Sequence, residues 1–397
     1  MSDRLLVIDD EPGFANFVAR VAESCGYDVR TTDNPTEFRT LCSQWQPTHI
    51  ILDLVMPEAD GVELLRYLAG VLSTARIWIM SGFDGRVVDA ARRIGTERGL
   101  DIVGTLQKPI RAKELRNILE RNHNEESVVT VEALEEALGK GEILPFYQPK
   151  VVLNSLQPVG FEALARWQHS SQGTICPDRF IPVAEASGQI DALSETVTRQ
   201  AVSQMGEWKG MGIEARVAIN LSAHNLHEEA LADRLNALCR RVGVAEDRIT
   251  IEITETAAMA EPLRALDILT RLRIKGFKLS IDDFGTGFSS LVQLHRLPFS
   301  ELKIDQSFVK ECDSSREARI IVKTMIELAH NLDMSVVAEG VETDSVLQTL
   351  AELGCDVGQG YALARPMGAD RVPAWLAQWA ARHPQAGHLQ GGDAGGR

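Results

Sequence analysis

The sequence predicts two consecutive α/β domains, and three observations support this fold class. The chain has 397 residues, which is more than one ordinary domain contains. Short apolar runs alternate with helical patterns along most of its length, as they do in parallel sheets that are covered by helices. With 44% hydrophobic and 24% charged residues, the composition is that of a soluble globular protein.

The N-terminal part, residues 1–121, predicts a doubly wound, flavodoxin-like parallel sheet with helices on both faces. Apolar runs typical of buried strands occupy residues 5–8, 49–52, 77–80 and 102–106. Helical periodicity occupies residues 14–25, 34–44, 61–69, 86–98 and 112–121. About five strand–helix units therefore fit within this domain.

The C-terminal part, residues 143–382, predicts a modified (β/α)8 barrel of the TIM type. Eight candidate strands lie at residues 143–151, 159–167, 216–221, 248–254, 277–282, 302–304 and 336–338 and around Val357. Residues 153–158, between the first two strands, are too few to form a helix. The first strand is therefore predicted to be antiparallel to the second.

Two segments lie outside these domains. Residues 122–142 are interpreted as a linker and a leading helix, of which Thr130 is the predicted N-cap. The Gly-rich residues 383–397 are predicted to form a disordered tail. Neither segment carries a candidate site residue.

Composition argues against several classes of function. The net charge of −15 and the lack of a basic run argue against a DNA partner. No apolar run reaches the ~18 residues of a membrane helix, so no membrane association is expected. The start MSDRLLVIDDEP lacks the apolar core of an export signal. Six scattered cysteines favour a cytoplasmic location and argue against zinc or disulfides.

Polar residues follow four of the predicted N-terminal strands. In the five predicted strand–helix units, Asp9 and Asp10 follow the first strand (5–8) and Asp53 follows the third (49–52). Ser81 follows the fourth strand (77–80), and Lys108 follows the fifth (102–106). Ligands bind at the carboxyl ends of strands in an open parallel sheet, so these residues should converge. Three acids favour a hard cation such as Mg²⁺, and a lysine and a hydroxyl beside them suit a phosphoryl group. One such residue would be an ordinary loop residue, but five favour a shared site.

The motifs VIDDEPGF, LDLVMPEADG and LQKP resemble those of response-regulator receiver domains over residues 4–121. The resemblance implies that Asp53 accepts a phosphoryl group from a histidine kinase. Thr105 departs from the family pattern, because receivers usually carry an aromatic switch residue there. The implied Mg²⁺ ligands are Asp10, Asp53 and the Val55 carbonyl with Asp9 in support, and the implied phosphoryl contacts are Ser81 and Lys108.

Acidic residues also follow the strands of the C-terminal domain. Asp282 and Asp283 cannot both point inward from a regular strand, so one is expected to extend into the loop. Five carboxylates in one barrel mouth repel each other unless divalent cations lie between them. Because no His or Cys is present, Mg²⁺ or Mn²⁺ is favoured over zinc. The side chains expected to converge at the mouth are Glu162, Asn220, Glu252, Asp282, Asp283 and Glu339.

Two divalent ions that share a carboxylate are the usual machinery for phosphodiester cleavage. Lys303 is expected to neutralise charge on the attacked phosphate or to orient a water molecule. The planar guanidinium of Arg166 is expected to hold phosphate oxygens. A single acid here would be interpreted as a capping or loop residue, whereas six oxygen ligands and a lysine favour a metal site.

Many ordered motifs resemble those of the EAL domain, the cyclic di-GMP phosphodiesterase family, over residues 143–368. These motifs are YQPK, FEALARW, FIPVAE, NLS, IEITE, IDDFGTGFSSL, LKID, VVAEGVE and GCDVGQGYALARP. The resemblance implies hydrolysis of cyclic di-GMP to linear pGpG with two Mg²⁺ or Mn²⁺ ions. It also implies a homodimer or a higher homo-oligomer.

The same resemblance implies a role for each site residue. The first metal would be held by Glu162, Asn220, Glu252 and Asp282, and the second by Asp282, Asp283 and Glu339. Gln359 would bind a metal-coordinated water, and Glu255 would support the DFGTGFSS loop. The implied catalytic residues are Lys303, Glu162 and Glu339, and the implied substrate contacts are Arg166, Asp305, Gln148 and Leu164.

Other readings of the sequence are weaker. Asp283-Phe284-Gly285 spells the DFG of a protein kinase, but the Gly-rich loop, the strand lysine and the HRD loop are missing. A DNA-binding regulator is disfavoured because the second domain is too large and too acidic. A receptor that binds cyclic di-GMP without cleaving it, through a degenerate or inhibited EAL domain, stays open as the alternative. Phosphorylation of Asp53 is expected to tune the activity.

Overall fold

The computed structural model describes residues 3–57, 60–71, 73–82, 85–123, 129–286 and 291–385. The chain divides into two compact units, Met1–Val128 and Val129–Arg397. Each unit has its own hydrophobic core, as expected for separate domains. No helix in the described part of the chain is long and apolar enough to cross a membrane.

In the N-terminal unit, strands and helices alternate along the described residues. The strands are β1 (Arg4–Ile8), β2 (Asp28–Thr32), β3 (His49–Asp53), β4 (Arg76–Ser81) and β5 (Asp101–Gln107). The helices are α1 (Pro12–Ser24), α2 (Pro35–Gln44), α3 (Gly61–Gly70), α4 (Gly85–Glu97) and α5 (Ala112–His123). Neighbouring strands are parallel, in the order β2-β1-β3-β4-β5. This order confirms the predicted doubly wound, flavodoxin-like sheet.

The burial of each strand explains whether it appears in the sequence as an apolar run. β1 and β3 are almost entirely buried because helices cover both faces of the sheet, and such strands are continuous apolar runs. β2 lies at the edge of the sheet and is largely exposed, so no apolar run marks it. Side-chain caps start two of the helices: Asn34 accepts from the first turn of α2, and Asp60 accepts from the first turn of α3.

The C-terminal unit begins with α6 (Val131–Lys140). Its strands are β6 (Ile143–Val152), β7 (Pro158–His169), β8 (Gly173–Ile175), β9 (Val217–Asn220), β10 (Ile249–Thr254), β11 (Lys278–Phe284), β12 (Glu301–Ile304), β13 (Ser335–Ala338) and β14 (Val357–Gly358). Its further helices are α7 (Pro177–Ser187), α8 (Ile190–Gly210), α9 (Leu231–Val242), α10 (Glu255–Ala260), α11 (Pro262–Ile274), α12 (Leu291–Arg296), α13 (Gln306–Val309), α14 (Arg316–Asn331), α15 (Asp344–Glu352) and α16 (Val372–Arg382).

Eight of these strands close into a barrel. The hydrogen-bonded order β6-β14-β13-β12-β11-β10-β9-β7 returns to its start because β6 also pairs with β7. β6 is antiparallel to both neighbours, and the other neighbours are parallel. This topology confirms the predicted modified (β/α)8 barrel with an antiparallel first strand. The short β8 pairs with the end of β7 and was not predicted, because three residues leave too little periodicity.

The segment between the domains is described only in part. Residues 124–128 of the predicted linker, 122–142, lie outside the described residues. The helix α6 belongs to the second compact unit, where Leu134 joins a buried cluster with Trp167. The hydroxyl of Thr130 accepts from the Ala133 N–H at 3.1 Å, which confirms the predicted cap.

The predicted disordered tail, 383–397, is also described only at its start. The ring of His383 lies 4.4 Å from the ring of Trp379, between centroids, at the end of α16. Residues 386–397 lie outside the described residues.

Gly360 is a position where only glycine fits the barrel. A methyl group at Gly360 would overlap the backbone of Val341, so Gly360→Ala should lower the free energy of unfolding by about 1–3 kcal/mol. Gly139→Ala is the matched control, because open space surrounds Gly139 within α6. In a helix alanine is favoured over glycine by ~0.5–1 kcal/mol. Chemical denaturation measures both changes, and equal stability of the two variants would contradict this packing.

Candidate functional site

The first candidate site lies where β1 and β3 of the N-terminal unit end. Carboxylate oxygens of Asp9, Asp10 and Asp53 lie within 4.8 Å of one another. Asp9 and Asp53 are buried, whereas Asp10 is exposed. A group of oxygen donors at the carboxyl edge of a parallel sheet suits a hard cation such as Mg²⁺.

Lys108 enters this group from the end of β5. Its Nζ lies 2.6 Å from Asp53 Oδ2 and 2.9 Å from Asp9 Oδ2. Burial alone would lower the pKa of Lys108, but the hydrogen bonds that its ammonium donates to Asp53 and Asp9 raise that pKa above its usual value. Burial also raises the pKa of Asp9. The lysine is therefore held in its charged form beside Asp53.

The remaining receiver residues surround this pair. The Val55 N–H donates to Asp53 Oδ1 at 3.1 Å, which orients that carboxylate. Ser81 is buried at the end of β4, and its carbonyl accepts from the Lys108 N–H at 3.1 Å. Thr105 is exposed on β5, where the receiver pattern has an aromatic residue. The structure thus brings the sequence-predicted receiver residues to one edge of the sheet.

The second candidate site lies at the carboxyl ends of the barrel strands. Oxygens of Glu162, Glu252 and Asp282 lie within 4.8 Å of one another, and so do oxygens of Asp282, Asp283 and Glu339. Asp282 belongs to both groups. The mouth of the barrel therefore holds two adjacent sets of carboxylate donors that share one residue.

The ammonium of Lys303 lies at the centre of these carboxylates and is fully buried. Its Nζ lies 2.7 Å from Glu339 Oε1, 2.8 Å from Glu252 Oε2, 3.0 Å from Asp282 Oδ2 and 3.5 Å from Glu162 Oε2. Burial would lower the pKa of Lys303, but the surrounding carboxylates raise it well above its usual value. Lys303 therefore stays protonated at the mouth.

Two amides fix Glu162. Asn220 Nδ2 donates to Glu162 Oε1 at 2.7 Å, and Gln359 Nε2 donates to Glu162 Oε2 at 2.6 Å. Gln359 Nε2 also donates to Gln148 Oε1 at 3.0 Å, and Gln148 Nε2 donates to the Ala364 carbonyl at 3.1 Å. Both ends of the Gln148 amide are thus engaged within the protein. Gln148 therefore holds Gln359, and its contact with a substrate stays a prediction.

Burial and neighbouring charges shift the pKa values of the carboxylates at the mouth in different directions. Burial would raise the pKa of Glu162, but Lys303, Lys150 and the two amides lower it to about 2. Burial and the charge of Glu162 raise the pKa of Glu252 to about 8. Burial also raises the pKa of Glu339 to about 7 and that of Asp283 to about 6, with Asp282 adding to both. In the described part of the chain, Lys303 and Lys150 are too few to neutralise all five carboxylates.

The donor atoms fit divalent metal ions. Both groups of acids offer only oxygen atoms, which Mg²⁺ and Mn²⁺ prefer. Gln359 Oε1 is buried and has no hydrogen-bond partner among the described residues, so it is free to bind a water molecule. Cations at this mouth would also supply the positive charge that the lysines do not.

A β-bulge brings both adjacent aspartates to the mouth. The pairing of β11 with β12 shifts register between Ile281 and Phe284, so one extra residue enters β11. Asp283 adopts a left-handed φ of 54°, and its N–H donates to Asp282 Oδ1 at 2.9 Å. A regular strand would direct the two carboxylates to opposite faces. The sequence anticipated this conflict but not the bulge that resolves it.

Glu255 supports the start of the following loop. It is the first residue of α10 and is buried, and its Oε2 accepts from the Gly285 N–H at 2.8 Å. The described part of the loop ends at Thr286, whose hydroxyl donates to the Asp283 carbonyl at 2.9 Å. Residues 287–290 of the DFGTGFSS loop lie outside the described residues.

Comparison with known families decides the assignment. The family model described as the EAL domain matches residues 131–366, which is more than half of the chain and includes the whole barrel mouth. The chain belongs to the EAL domain family. The model of the response regulator receiver domain matches residues 5–120, the region of the first candidate site.

Proteins that are similar to this chain match different fractions of its length. The chain is 31% identical to the cyclic di-GMP phosphodiesterase RocR of Pseudomonas aeruginosa, across 91% of the chain and 96% of RocR. It is 40% identical to a signaling protein of Caulobacter vibrioides across 61% of the chain, but spans only 30% of that relative. The solved cyclic di-GMP complex of the phosphodiesterase MucR superposes with a TM-score of 0.59 at 39% identity, covering 61% of the chain and 98% of that structure.

The remaining predicted contacts lie along β7 and after β12 of the EAL domain. Leu164 and Arg166 follow Glu162 along β7, and both are partly exposed. Arg166 donates to the Ala165 carbonyl at 2.7 Å, which leaves most of its guanidinium donors for a ligand. Asp305 follows β12 and caps α13 by accepting from the Ser307 N–H at 3.0 Å.

Lys150 is a residue beneath this mouth that the sequence did not mark as a site residue. It is buried on β6, and its Nζ lies 2.5 Å from Glu252 Oε1. Period-two alternation from Gln148 would have placed Lys150 on the same inward face of β6. The spacing of Gln148 and Lys150 in the motif YQPK could therefore have predicted that Lys150 points into the barrel.

Lys303 should be essential for the stability of the metal-free protein. Lys303→Met leaves four carboxylates without their common counter-charge, and the loss of one partner from a buried ion pair costs about 3–5 kcal/mol. Calorimetric melting without metal should show this loss, and saturating Mg²⁺ should recover part of it.

Lys323→Met is the control for that experiment. Lys323 lies 3.7 Å from Glu327 on the exposed face of α14, and such a surface pair contributes less than about 1 kcal/mol. A Lys303→Met protein that melts like Lys323→Met would contradict the charge balance assigned to the mouth.

Proposed function

We propose that the EAL domain hydrolyses cyclic di-GMP to linear pGpG with two divalent metal ions. The observation that carries this proposal is that two sets of oxygen donors share Asp282 beside the protonated Lys303. Two ions that share a carboxylate are the usual arrangement for phosphodiester cleavage. The names of two relatives support the same substrate: RocR is a cyclic di-GMP phosphodiesterase, and MucR is a bifunctional diguanylate cyclase and cyclic di-GMP phosphodiesterase.

The donor set favours Mg²⁺ or Mn²⁺. Asn220 fits the first ion because its Nδ2 donates to Glu162 and its Oδ1 is left as the ligand atom. When bound, the two ions supply positive charge to the phosphate and lower the pKa of a water molecule. The proposed ligands are Glu162, Asn220, Glu252 and Asp282 for the first ion, and Asp282, Asp283, Glu339 and, through water, Gln359 for the second.

The chain's own cations bind and orient the phosphate in this proposal. Lys303 supplies a fixed positive charge, because its carboxylate neighbours keep it protonated. Arg166 lies on β7 nearer the mouth than Glu162, where its guanidinium can bind two phosphate oxygens. Both cations oppose the long-range repulsion that a net charge of −15 exerts on an anionic dinucleotide.

Substrate contacts beyond Arg166 stay predictions. Leu164 and Asp305 lie at the mouth end of β7 and β12, where a base or ribose of the dinucleotide would lie. Gln148 is buried, so we assign it to the support of Gln359 and through it of Glu162.

For the receiver domain we propose that Asp53 accepts a phosphoryl group from a histidine kinase and that phosphorylation tunes the EAL domain. The support is the pairing of Asp53 with the charged Lys108, which can bind phosphoryl oxygens. Asp10, Asp53 and the Val55 carbonyl would hold Mg²⁺ there with Asp9 in support, and Ser81 and Lys108 would contact the phosphoryl group. The kinase partner and the homo-oligomer stay predictions.

Loss of a metal ligand should abolish turnover. Glu162→Gln keeps the shape of the side chain but weakens it as a ligand, so pGpG formation should fall on the order of 10³-fold, or about 4 kcal/mol. Chromatography of cyclic di-GMP incubated with the purified chain and Mg²⁺ measures the product. EDTA should stop the wild-type reaction, and added Mg²⁺ or Mn²⁺ should restore it.

The control for this variant is Glu352→Gln, an exposed acid that lies 3.1 Å from Arg319 on the surface. It should leave turnover unchanged. If the wild-type chain binds cyclic di-GMP and forms no pGpG, the non-catalytic receptor is the correct function. Wild-type activity in Glu162→Gln would contradict the assigned ligand set.

Phosphorylation should act through Asp53. Incubation with a small phosphodonor should label the wild-type chain and change its rate of pGpG formation, whereas Asp53→Asn should show neither effect. Asp33→Asn, at an exposed acid after β2, is the matched control. A phosphate-affinity gel and the pGpG assay measure both effects. A donor response that persists in Asp53→Asn would contradict this role.

A further inference from the structure

Lys150 is a buried ammonium that the proposed reaction does not use. Its Nζ lies 2.5 Å from Glu252 Oε1 and 3.4 Å from Glu301 Oε1. Glu301 is the first residue of β12, so it lies at the end of the barrel opposite the mouth, two positions before Lys303. Lys150 therefore lies one layer deeper in the barrel than the proposed metal ligands.

Glu252 is held on both of its oxygens. Lys150 contacts Oε1, while Lys303 contacts Oε2 at 2.8 Å from the side of the mouth. Glu252 is fully buried, so neither oxygen can bind bulk water instead. The two lysines thereby distinguish an inner oxygen of Glu252 from an outer oxygen.

We infer that Lys150 is a positioning residue that holds the inner oxygen of Glu252 and directs the outer oxygen to the first metal ion. This inference rests on the proposed two-metal function, because it assigns how one ligand is oriented. Carboxylates that bind metals are usually hydrogen-bonded by a further partner, and loss of that partner costs about 10–100-fold in metal affinity or activity. Lys150 is such a partner for Glu252.

Metal binding at the mouth would affect the contacts of Lys303 and of Lys150 differently. Lys303 shares its contacts among four carboxylates that are all proposed ligands. Lys150 contacts only one of them, and Glu301 holds it from the far side. A cation at the mouth therefore competes with Lys303 for Glu252 Oε2 and leaves the contact of Lys150 with Oε1 in place.

The antiparallel direction of β6 makes this contact possible. Gln148 is in register with Glu162, whereas Lys150 is in register with Gly160, two residues farther from the mouth on β7. Two inward side chains of β6 therefore act on proposed ligands: Gln148 acts on Glu162 through Gln359, and Lys150 acts on Glu252 directly. No proposed metal ligand lies on β6 itself, but side chains of β6 position two of the ligands, Glu162 and Glu252.

The test compares Lys150→Met, which removes the charge at similar length, with Lys150→Gln, which keeps a donor for Glu252. Lys275→Met is the control, because Lys275 pairs with Asp233 at 2.7 Å at the end of α11, away from the mouth. Calorimetric titration of the metal-free full chain gives Mg²⁺ affinity, with the receiver site as an equal background. The pGpG assay gives kcat and KM.

We expect Lys150→Met to weaken Mg²⁺ binding at the barrel and to lower kcat, each by about 10–100-fold. The KM for cyclic di-GMP should change less than about 3-fold, because Lys150 does not contact substrate. Lys150→Gln should lie between Lys150→Met and wild type, and Lys275→Met should match wild type. This pattern would support a positioning role.

A folded Lys150→Met protein with wild-type Mg²⁺ affinity and kcat would overturn the inference, whatever its melting temperature. Failure of both Lys150 variants to fold without metal would overturn it too, because Lys150 would then be required for the barrel itself. If the wild-type chain binds Mg²⁺ at the barrel and forms no pGpG, the proposed function fails. Weaker Mg²⁺ binding by Lys150→Met would still uphold the positioning role in that case.

Discussion

An excess of buried negative charge at the barrel mouth is the constraint on which the rest of the site depends. Its carboxylates are Glu162, Glu252, Asp282, Asp283 and Glu339. Among the described residues, the ammonium groups of Lys303 and Lys150 contact them, so five negative charges minus two positive charges leave three. Glu301 also pairs with Lys150. Uncompensated buried charge is strongly destabilising, so protons or cations must supply the difference. Burial raises the pKa values of Glu252, Glu339 and Asp283, and neighbouring carboxylates raise them further.

The sequence predicted the general location of both sites because parallel strands end at the same edge of a sheet. Strand ends and period-two alternation were sufficient to group Asp9 with Asp53, and Glu162 with Glu252. The short connection after the first barrel strand was sufficient to predict that β6 is antiparallel. These inferences need only local patterns, and the strand pairings confirm the fold that they predicted.

Other features depend on distant contacts or on local distortion, which no local pattern contains. Gln148 reaches Gln359 across 211 positions of sequence, and Lys150 reaches Glu252 across 102 positions. The left-handed φ of Asp283 creates a bulge that interrupts the strand period. The sequence did not predict β2 because it is largely exposed, nor β8 because it is short.

The two proposed metal ions of the barrel mouth share the carboxylate of Asp282. Anomalous scattering from crystals of the full chain soaked in Mn²⁺ tests it directly, because each bound ion gives its own peak. We expect two peaks at the barrel mouth, about 3.5–4 Å apart, with the Asp282 carboxylate between them. A single peak at the mouth, or two peaks that Asp282 does not bridge, would contradict it.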